Sequence, residues 1–468
     1  MNSYGLWING AETKGETART VHVPFDNAPF AEVAEAGPMQ AAAAVRAATA
    51  AARTMREMTR AQRSAILRRT RDLLLAAKEE MAVIIASESG KPLREARTEV
   101  DRGAATLLFS SEEANRLSGE EVPMDAAANG AGKMAMVIRE PLGVIAAITP
   151  FNFPLNLSLH KIGPAIAGGN AVVHKPASAT PVSALRLARL FAEAGLPPGA
   201  LNVIPGPGAS VGPALVGNEA VAMVTFTGSA DVGVTLRTKA GLQRMTLELG
   251  SNSAVIVAAD ADVEEAARRC AVGAFANSGQ VCISVQRIFV AETVATAFHE
   301  ALLAATERMT IGHPLDEATE VSSLVSADDA DRVAAWVSEA GGRVSRSGRA
   351  TIAPVMLQDV PDTAKVFADE VFGPVVSANR FRDLDEAIDR VNASAYGLQA
   401  GIFTKDLASA FRAARRVHVG GFLINDVPQF RADQMPYGGV KRSGTGREGP
   451  RYAIEEMTER KLICWNVS

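Results

Sequence analysis

Three side chains in this sequence could do covalent and acid–base chemistry together: a cysteine, a carboxylate and an asparagine amide. The cysteine is Cys282, in Phe275-Ala-Asn-Ser-Gly-Gln-Val-Cys-Ile-Ser. A helical run ends at Asn277-Ser278-Gly279, and the thiol follows shortly after the glycine. A cysteine on a loop at the end of a core helix can face a cleft, which makes it a candidate nucleophile. The competing reading is an inert packed thiol, since free cysteines are among the most buried residue types.

The carboxylate is Glu248, between Leu247 and Leu249 and ahead of Gly250. An anion between leucines at a strand end is costly to bury, so its pKa is pushed toward the range of a general base. An ion pair with Arg244 is the alternative. The asparagine is Asn152, in Thr149-Pro150-Phe151-Asn152-Phe153-Pro154. Two prolines stiffen its backbone and fix the direction of its amide. An oxyanion hole needs donors placed in advance in this way. The alternative is a turn asparagine bonded to its own backbone.

Other residues suit a phosphate-bearing ligand. His174-Lys175-Pro176-Ala177-Ser178 ends an apolar run, and a lysine there can reach a ribose hydroxyl or a phosphate; a solvated surface lysine is the other reading. Glycine-bearing turns open helices at Gly206-Pro207-Gly208 through Gly212 and at Phe226-Thr227-Gly228-Ser229 through Val232 and Gly233. A helix N-terminus behind such a turn binds phosphate. Neither is G-x-G-x-x-G, and no Lys-Ser/Thr follows, so a P-loop is excluded.

The elements that must position these residues alternate. Apolar β-type runs are predicted at 144–148, 171–174, 201–204, 221–226 and 244–249, with helices near 156–167, 181–194, 209–217 and 229–239 between them. That alternation implies βαβ units and a parallel sheet buried on both faces. Ligands of such sheets bind beyond the carboxyl ends of the strands, where the residues above lie. A second α/β region follows from 251 to 442, with strands at 254–257, 285–290, 375–378 and 422–424. Its helices are predicted near 262–277, 292–308, 327–340, 383–392 and 406–416. Ahead of both regions the pattern predicts a turn between short strands at Ile8-Asn9-Gly10, then helices at 38–57, 60–88 and 92–117. Residues 123–135 lose periodicity, and 455–467 reads as a terminal strand.

Composition narrows the class. A length of 468 residues predicts two or three domains. Hydrophobic content of 47% with 21% charged residues fits a soluble protein with a large core. Net charge is −4 with no basic block, which disfavours nucleic acid as a partner. Cys270, Cys282 and Cys464 make neither a disulfide framework nor C-x-x-C, which suits a reducing, cytoplasmic setting. The six histidines form no ligand cluster, so no metal site is expected. No signal peptide is expected. The uncharged window 141–160 contains Pro141, Pro150 and Pro154 and reads as a buried strand and loop, so no membrane span is expected.

Together these segments resemble the NAD(P)-dependent aldehyde dehydrogenase superfamily, over essentially the whole chain. The matching stretches are Thr149–Pro154, His174–Ser178, Phe226–Gly233, Glu248–Gly250, Gly279–Cys282, Glu370-Val371-Phe372-Gly373-Pro374 and Pro436-Tyr437-Gly438-Gly439, in the family's order. The resemblance implies an α/β fold: a Rossmann-type parallel-sheet cofactor domain (1–122 and 142–250), an α/β catalytic domain (251–442) and a β oligomerisation arm (123–141 and 455–468). It implies that Cys282 is the nucleophile and Glu248 the general base. The Asn152 side-chain amide and the Cys282 backbone N–H would form the oxyanion hole. NAD or NADP is the implied cofactor. Lys175 would hold the adenine-side ribose, Gly228-Ser229 would approach the pyrophosphate, and Glu370 would hold the nicotinamide-side ribose with Phe372 nearby. Ile148, Thr149, Pro150, Phe151, Ser178, Gly208, Gly212, Phe226, Val232, Leu249 and Gly250 complete the implied cofactor surface. The implied aldehyde tunnel runs past Phe153, Asn156, Leu157, His160, Val281, Ile283 and Tyr437.

Asn156 and His160 make that tunnel more polar than a fatty-aldehyde tunnel. The stretch Phe430-Arg-Ala-Asp-Gln-Met-Pro-Tyr looks like members acting on small polar or anionic aldehydes of the lactaldehyde, succinate-semialdehyde or phosphonoacetaldehyde types. Arg102, Arg431 and Arg447 are candidate contacts for a carboxylate or phosphate, or else ion-pair partners within the protein. The family's second glycine after the glutamate motif is Ser251 here. A glutamate that many NAD-preferring members place three residues after the lysine is Ser178 here, so dual or NADP-leaning use is expected, because serine would not repel a 2′-phosphate. A homodimer or homotetramer is implied. A CoA-acylating enzyme is disfavoured by Glu248, which hydrolysis needs. A silent structural or binding protein is disfavoured by the presence of Cys282, Asn152 and Glu248 together. A cysteine hydrolase would want a partnered histidine, to which no feature points.

Overall fold

Two parallel sheets and a three-stranded arm position the site in the computed structural model, which describes residues 1–467. In the first sheet five parallel strands lie in the spatial order Arg244–Glu248, Val221–Thr227, Val144–Ile148, Ala171–Lys175, Leu201–Val203. Every residue of Val144–Ile148 and of Ala171–Lys175 is buried, which is why the first reads as an unbroken apolar run and the second opens on one before His174 and Lys175. The strand order reverses between Val144–Ile148 and Val221–Thr227. The crevice at such a reversal, beyond the carboxyl ends, is the ligand position of doubly wound sheets. Antiparallel pieces extend both edges: Gly444–Thr445 beside Arg244–Glu248, and Leu6–Ile8 with Ala11–Thr13 beside Leu201–Val203.

The second sheet has six parallel strands in the order Val355–Gln358, Val375–Phe381, Arg287–Ala291, Ala254–Val257, Gln399–Phe403, Gly421–Ile424. Separate apolar clusters fill its two faces, and a third, larger cluster fills the first domain. The chain then returns to the first sheet through Gly444–Thr445, and the helix Pro450–Glu456 packs on Asn156–Gly168 and Leu93–Arg116.

The arm sheet joins Thr458–Asn466, Lys133–Pro141 and Glu120–Val122, all antiparallel. It therefore takes in Glu120–Val122, ahead of the expected start at 123. Ser468, the last residue of the expected arm, lies outside the described residues. Among the described residues no helix is long and apolar enough to cross a membrane, and no His/Cys/Asp/Glu group could hold a metal ion.

Three expectations need correction. The helix expected over 60–88 is two, Arg60–Ala76 and Lys78–Ser89, broken where Ala77 leaves helical geometry at φ −96°, ψ 18°. No glycine or proline marks that break. Strands at Thr17–His22 and Pro29–Glu35 were not expected; they form a small sheet with Asn2–Tyr4, and their half-exposed sequences alternate weakly. Val355–Gln358 and Gln399–Phe403 were also not expected, the first being only four residues long and the second opening on Gln-Ala-Gly.

Candidate active site

The turn that carries Cys282 is bent hard. The helix Val263–Phe275 ends, and Asn277, Ser278 and Gly279 follow with φ of 48°, 55° and 73°. Left-handed backbone is unfavourable for residues with a Cβ and persists only where the surroundings impose it. Here Ser278 Oγ donates to Ser322 O at 3.0 Å and accepts the Ser322 N–H at 3.1 Å. Gly279 is required twice over, because a Cβ there would also lie 2.0 Å from Gly373 O. Cys270, by contrast, is fully buried on its helix and has the inert environment weighed above for Cys282.

Cys282 is half-buried, and its sulfur lies 2.8 Å from Tyr437 Oη. Burial pushes the thiol up to about 12; the Tyr437 hydrogen bond and the Arg431 charge oppose that rise. Val281, Ile283, Leu398 and Tyr437 form an apolar wall with Phe153 packed against it. The Arg431 guanidinium lies over the Tyr437 ring, 3.7 Å from its centroid.

Glu248 ends Arg244–Glu248 and is 2% exposed, with neither carboxylate oxygen bonded among the described residues. The expected alternative partner, Arg244, turns to Glu459 instead. Gly438, next to Tyr437, approaches so closely that a Cβ there would lie 2.8 Å from Glu248 Oε1. Burial and then the Glu448 anion drive the Glu248 pKa well up, while Lys161, Arg431 and Arg447 moderate the rise. Burial also opposes ionisation of Glu448, yet Lys161 at 2.7 Å and Arg431 at 3.0 Å hold it down to about 2. Glu448 is thus held as an anion, while the Glu248 carboxyl, raised above the usual carboxylate range by burial and by that anion, is suited to carry a proton.

Asn152 is 3% exposed. Its Nδ2 donates to Gln280 O at 2.9 Å, two residues before the cysteine, and Asn277 Nδ2 donates to Asn152 O at 3.2 Å. One amide N–H of Asn152 is thereby anchored and the other is left for a ligand.

Several of the residues expected around a dinucleotide lie at or just beyond the carboxyl ends of the first sheet's strands. Lys175 is buried with its ammonium on Pro176 O at 3.1 Å, and burial lowers its pKa to about 8. A cation so placed fits a ribose diol. Ser178 Oγ donates to Gly206 O at 3.0 Å, joining the second and third strand ends. A Cβ at Gly208 would meet nothing within 4 Å, so the start of that helix is open, while Gly212 is buried with Leu236 beside it. Ser229 stands at the start of Ala230–Lys239 without capping it by its side chain, and Val232 is half-exposed one turn on. Phe226 closes over Gly228, while Leu249 and Gly250 lead from Glu248 toward Glu370. Glu370 accepts the Ser251 N–H at 2.9 Å, and burial raises its pKa to about 7. Phe372, at φ 49°, meets Phe151 edge to face at 5.7 Å. Ile148 and Pro150 flank Thr149, whose hydroxyl bonds His174 at 2.9 Å and so stiffens the loop rather than facing a ligand.

Two of the expected tunnel residues, Asn156 and His160, and two of the candidate arginines, Arg102 and Arg447, bond within the protein. Asp433 collects Arg102 at 2.9 Å, Asn156 at 3.1 Å and His160 at 3.1 Å. Burial opposes the Asp433 anion, but His160 and Arg102 hold its pKa well below the usual carboxylate range, while burial first pushes His160 down to about 4. Arg447 donates to Gly439 O and Gly446 O. Arg431 pairs with Glu448 but keeps a buried Nε without a partner among the described residues.

Lys161, Glu448 and Asp433 were not singled out from sequence. A lysine within Asn156–Gly168, a helix buried at every position, was the signal for Lys161. Arg447-Glu448 behind Ser443-Gly-Thr-Gly was the signal for Glu448.

The profile of the Aldehyde dehydrogenase family matches residues 7–463. The chain is 47% identical over 474 residues to a 3-sulfolactaldehyde dehydrogenase of Priestia megaterium, covering 100% of this chain and 99% of that one. It is 38% identical to a lactaldehyde dehydrogenase of Methanococcus aeolicus, covering 99% of each. Aldehyde dehydrogenase 21 of Physcomitrella patens, solved with its reaction product succinate, superposes with a TM-score of 0.96 at 37% identity, covering 100% of this chain and 98% of that one.

Proposed function

This chain belongs to the aldehyde dehydrogenase family and uses NAD or NADP, and from that premise we propose how its residues divide the reaction. The carrying observation is the convergence on one cleft of Cys282 from the second domain with Glu248 and Asn152 from the first. The Cys282 thiol releases its proton to solvent, and the sulfur attacks the aldehyde carbon to form a thiohemiacetal whose oxygen carries the negative charge. The free Asn152 amide N–H and the Cys282 backbone N–H take the oxyanion. The dinucleotide, when bound, supplies the acceptor for the hydride from that carbon, which leaves a thioester on Cys282. Lys175 and Glu370 would hold its two riboses, and Ser229 would face its phosphates. Glu248 takes a proton from water, the water attacks the thioester, and the carboxylate product leaves with the thiol restored.

The substrate is a short aldehyde with a hydroxyl or anionic group beside the carbonyl, of the sulfolactaldehyde and lactaldehyde kind. Its support is the kinship with enzymes acting on those compounds and the buried Arg431, which keeps an unpaired donor beside the ring that touches Cys282. Ser178 in place of a carboxylate supports dual or NADP-leaning use. A cytoplasmic enzyme is in keeping with three free cysteines. The arm's edge strand Thr458–Asn466, with Leu462, Ile463 and Trp465 exposed, supports a homo-oligomer in which a second copy covers that edge.

One assay tests substrate and cofactor together: absorbance at 340 nm with a panel of aldehydes, each with NAD and with NADP. Polar or anionic short aldehydes should exceed aliphatic ones of equal length in kcat/KM, and NADP should support turnover. Equal or better aliphatic turnover would refute the substrate reading, and strict NAD dependence the cofactor reading.

A further inference from the structure

Cys282 and Asn152 come from different domains, and one helix of the first domain touches the turns of both. Lys91 stands just ahead of Leu93–Arg116, and Glu95 and Glu99 lie within it. The spacing of four puts Glu95 and Glu99 on one face of that helix. Glu95 Oε2 accepts the N–H of Asn277 at 2.8 Å, the first left-handed residue of the nucleophile turn. Glu99 Oε1 accepts the N–H groups of Leu155 at 2.9 Å and Asn156 at 3.1 Å, where the Asn152 loop becomes a helix. Lys91 is ion-paired to Glu99, with neither side chain exposed. Its Nζ also sits 3.6 Å from the centroid of the Phe153 ring, next in sequence to Asn152.

None of these side chains takes part in the chemistry above, and the Lys91–Glu99 pair is withdrawn from water, a desolvation that its contacts must offset. Helix capping alone does not call for them, because Thr59, Asp262, Ser326, Asp383 and Asp406 cap other helices of this chain with local side chains. What buried Lys91 and Glu99 with partly buried Glu95 do that a local cap cannot is tie the turns of Asn152 and Cys282 to one helix.

We propose that Lys91, Glu95 and Glu99 are positioning residues, a brace that sets the Asn152 amide against the Cys282 sulfur across the domain boundary. The proposal rests on the reading of Asn152 as oxyanion donor. Loss of the Glu95 contact frees the strained turn to relax, which moves the sulfur away from the amide while both side chains remain present.

A double-mutant cycle tests it. Glu95→Ala should lower kcat by roughly 10- to 100-fold, as about 1 Å of misplacement does. Affinity for NAD(P), measured by titration without aldehyde, and the thermal midpoint should stay near wild type. Glu95→Gln keeps an acceptor for the Asn277 N–H and should restore most of the rate. With Asn152→Ala already in place, Glu95→Ala should lower kcat by no more than about twofold further, because coupled residues are not additive. If the full loss recurs in that background, the brace is overturned while the oxyanion reading stands. If Asn152→Ala alone has normal kcat, the oxyanion reading fails and the brace with it. Should Glu95→Ala not fold, Glu95→Asp carries the same cycle, since it retracts the carboxylate by one methylene.

Discussion

Cys282 at rest is a thiol, held in that state by burial that pushes its pKa up to about 12. Two features work against the burial: the Tyr437 hydroxyl at 2.8 Å and the Arg431 charge behind the Tyr437 ring. Tyr437→Phe removes the hydrogen bond that favours the thiolate. The pH midpoint for alkylation of Cys282 by iodoacetamide should therefore move upward; an unmoved or lowered midpoint would contradict the role given to Tyr437. Cys282→Ser should abolish turnover and leave NAD(P) binding intact, as read by cofactor fluorescence, and residual turnover near wild type would exclude Cys282 as nucleophile. Glu248 acts only once deprotonated, and its carboxyl is shifted upward, first by burial and then by the Glu448 anion. The rate of the hydrolytic step should thus climb with pH to a midpoint above the ordinary carboxylate range, and a midpoint within that range would contradict the shift.

Elements place these residues, and strand ends do most of the placing. The five strands of the first sheet were legible because both faces are buried and the apolar runs stand out between helices. The ends of those strands then pointed to Asn152, Lys175 and Glu248. Lys161 and Glu448 were not legible as a pair, because they bond 287 residues apart and no spacing links them. The break at Ala77 had no glycine or proline to announce it, and the Asp433 cluster depends on a loop whose path only packing decides. Glu88 shows how an element boundary can set pH dependence. Its carboxylate accepts the Val182 and Ser183 N–H groups at the start of Val182–Glu193, yet burial outweighs those bonds and pushes its pKa up to about 8. A carboxyl raised in the folded state binds its proton more tightly there than in the unfolded chain. The stability it contributes is complete below the ordinary carboxylate range and is lost as pH rises through about 8. Glu88→Gln should therefore lose less thermal stability than wild type between pH values below and above that range, followed by calorimetry. Parallel curves would contradict the assignment.

At the scale of the whole molecule, residues from both sheet regions complete the site, and the arm presents an edge strand with exposed apolar side chains. Ile463 and Trp465 point to one face of Thr458–Asn466 by strand alternation and are both exposed. Ile463→Lys with Trp465→Lys should lower the molar mass seen by light scattering to that of a smaller assembly; an unchanged mass would place the interface elsewhere. The central claim is that sulfur and carboxylate from facing domains act in sequence on one acyl group, Cys282 receiving it and Glu248 releasing it to water. Glu248→Gln separates the two events. Intact-mass spectrometry of that variant, after mixing with aldehyde and NAD(P), should show one acyl group added per chain, mapped by peptide digestion to Cys282, with one equivalent of reduced cofactor formed and little turnover after it. Sustained turnover by the variant with no adduct on Cys282 would contradict the account.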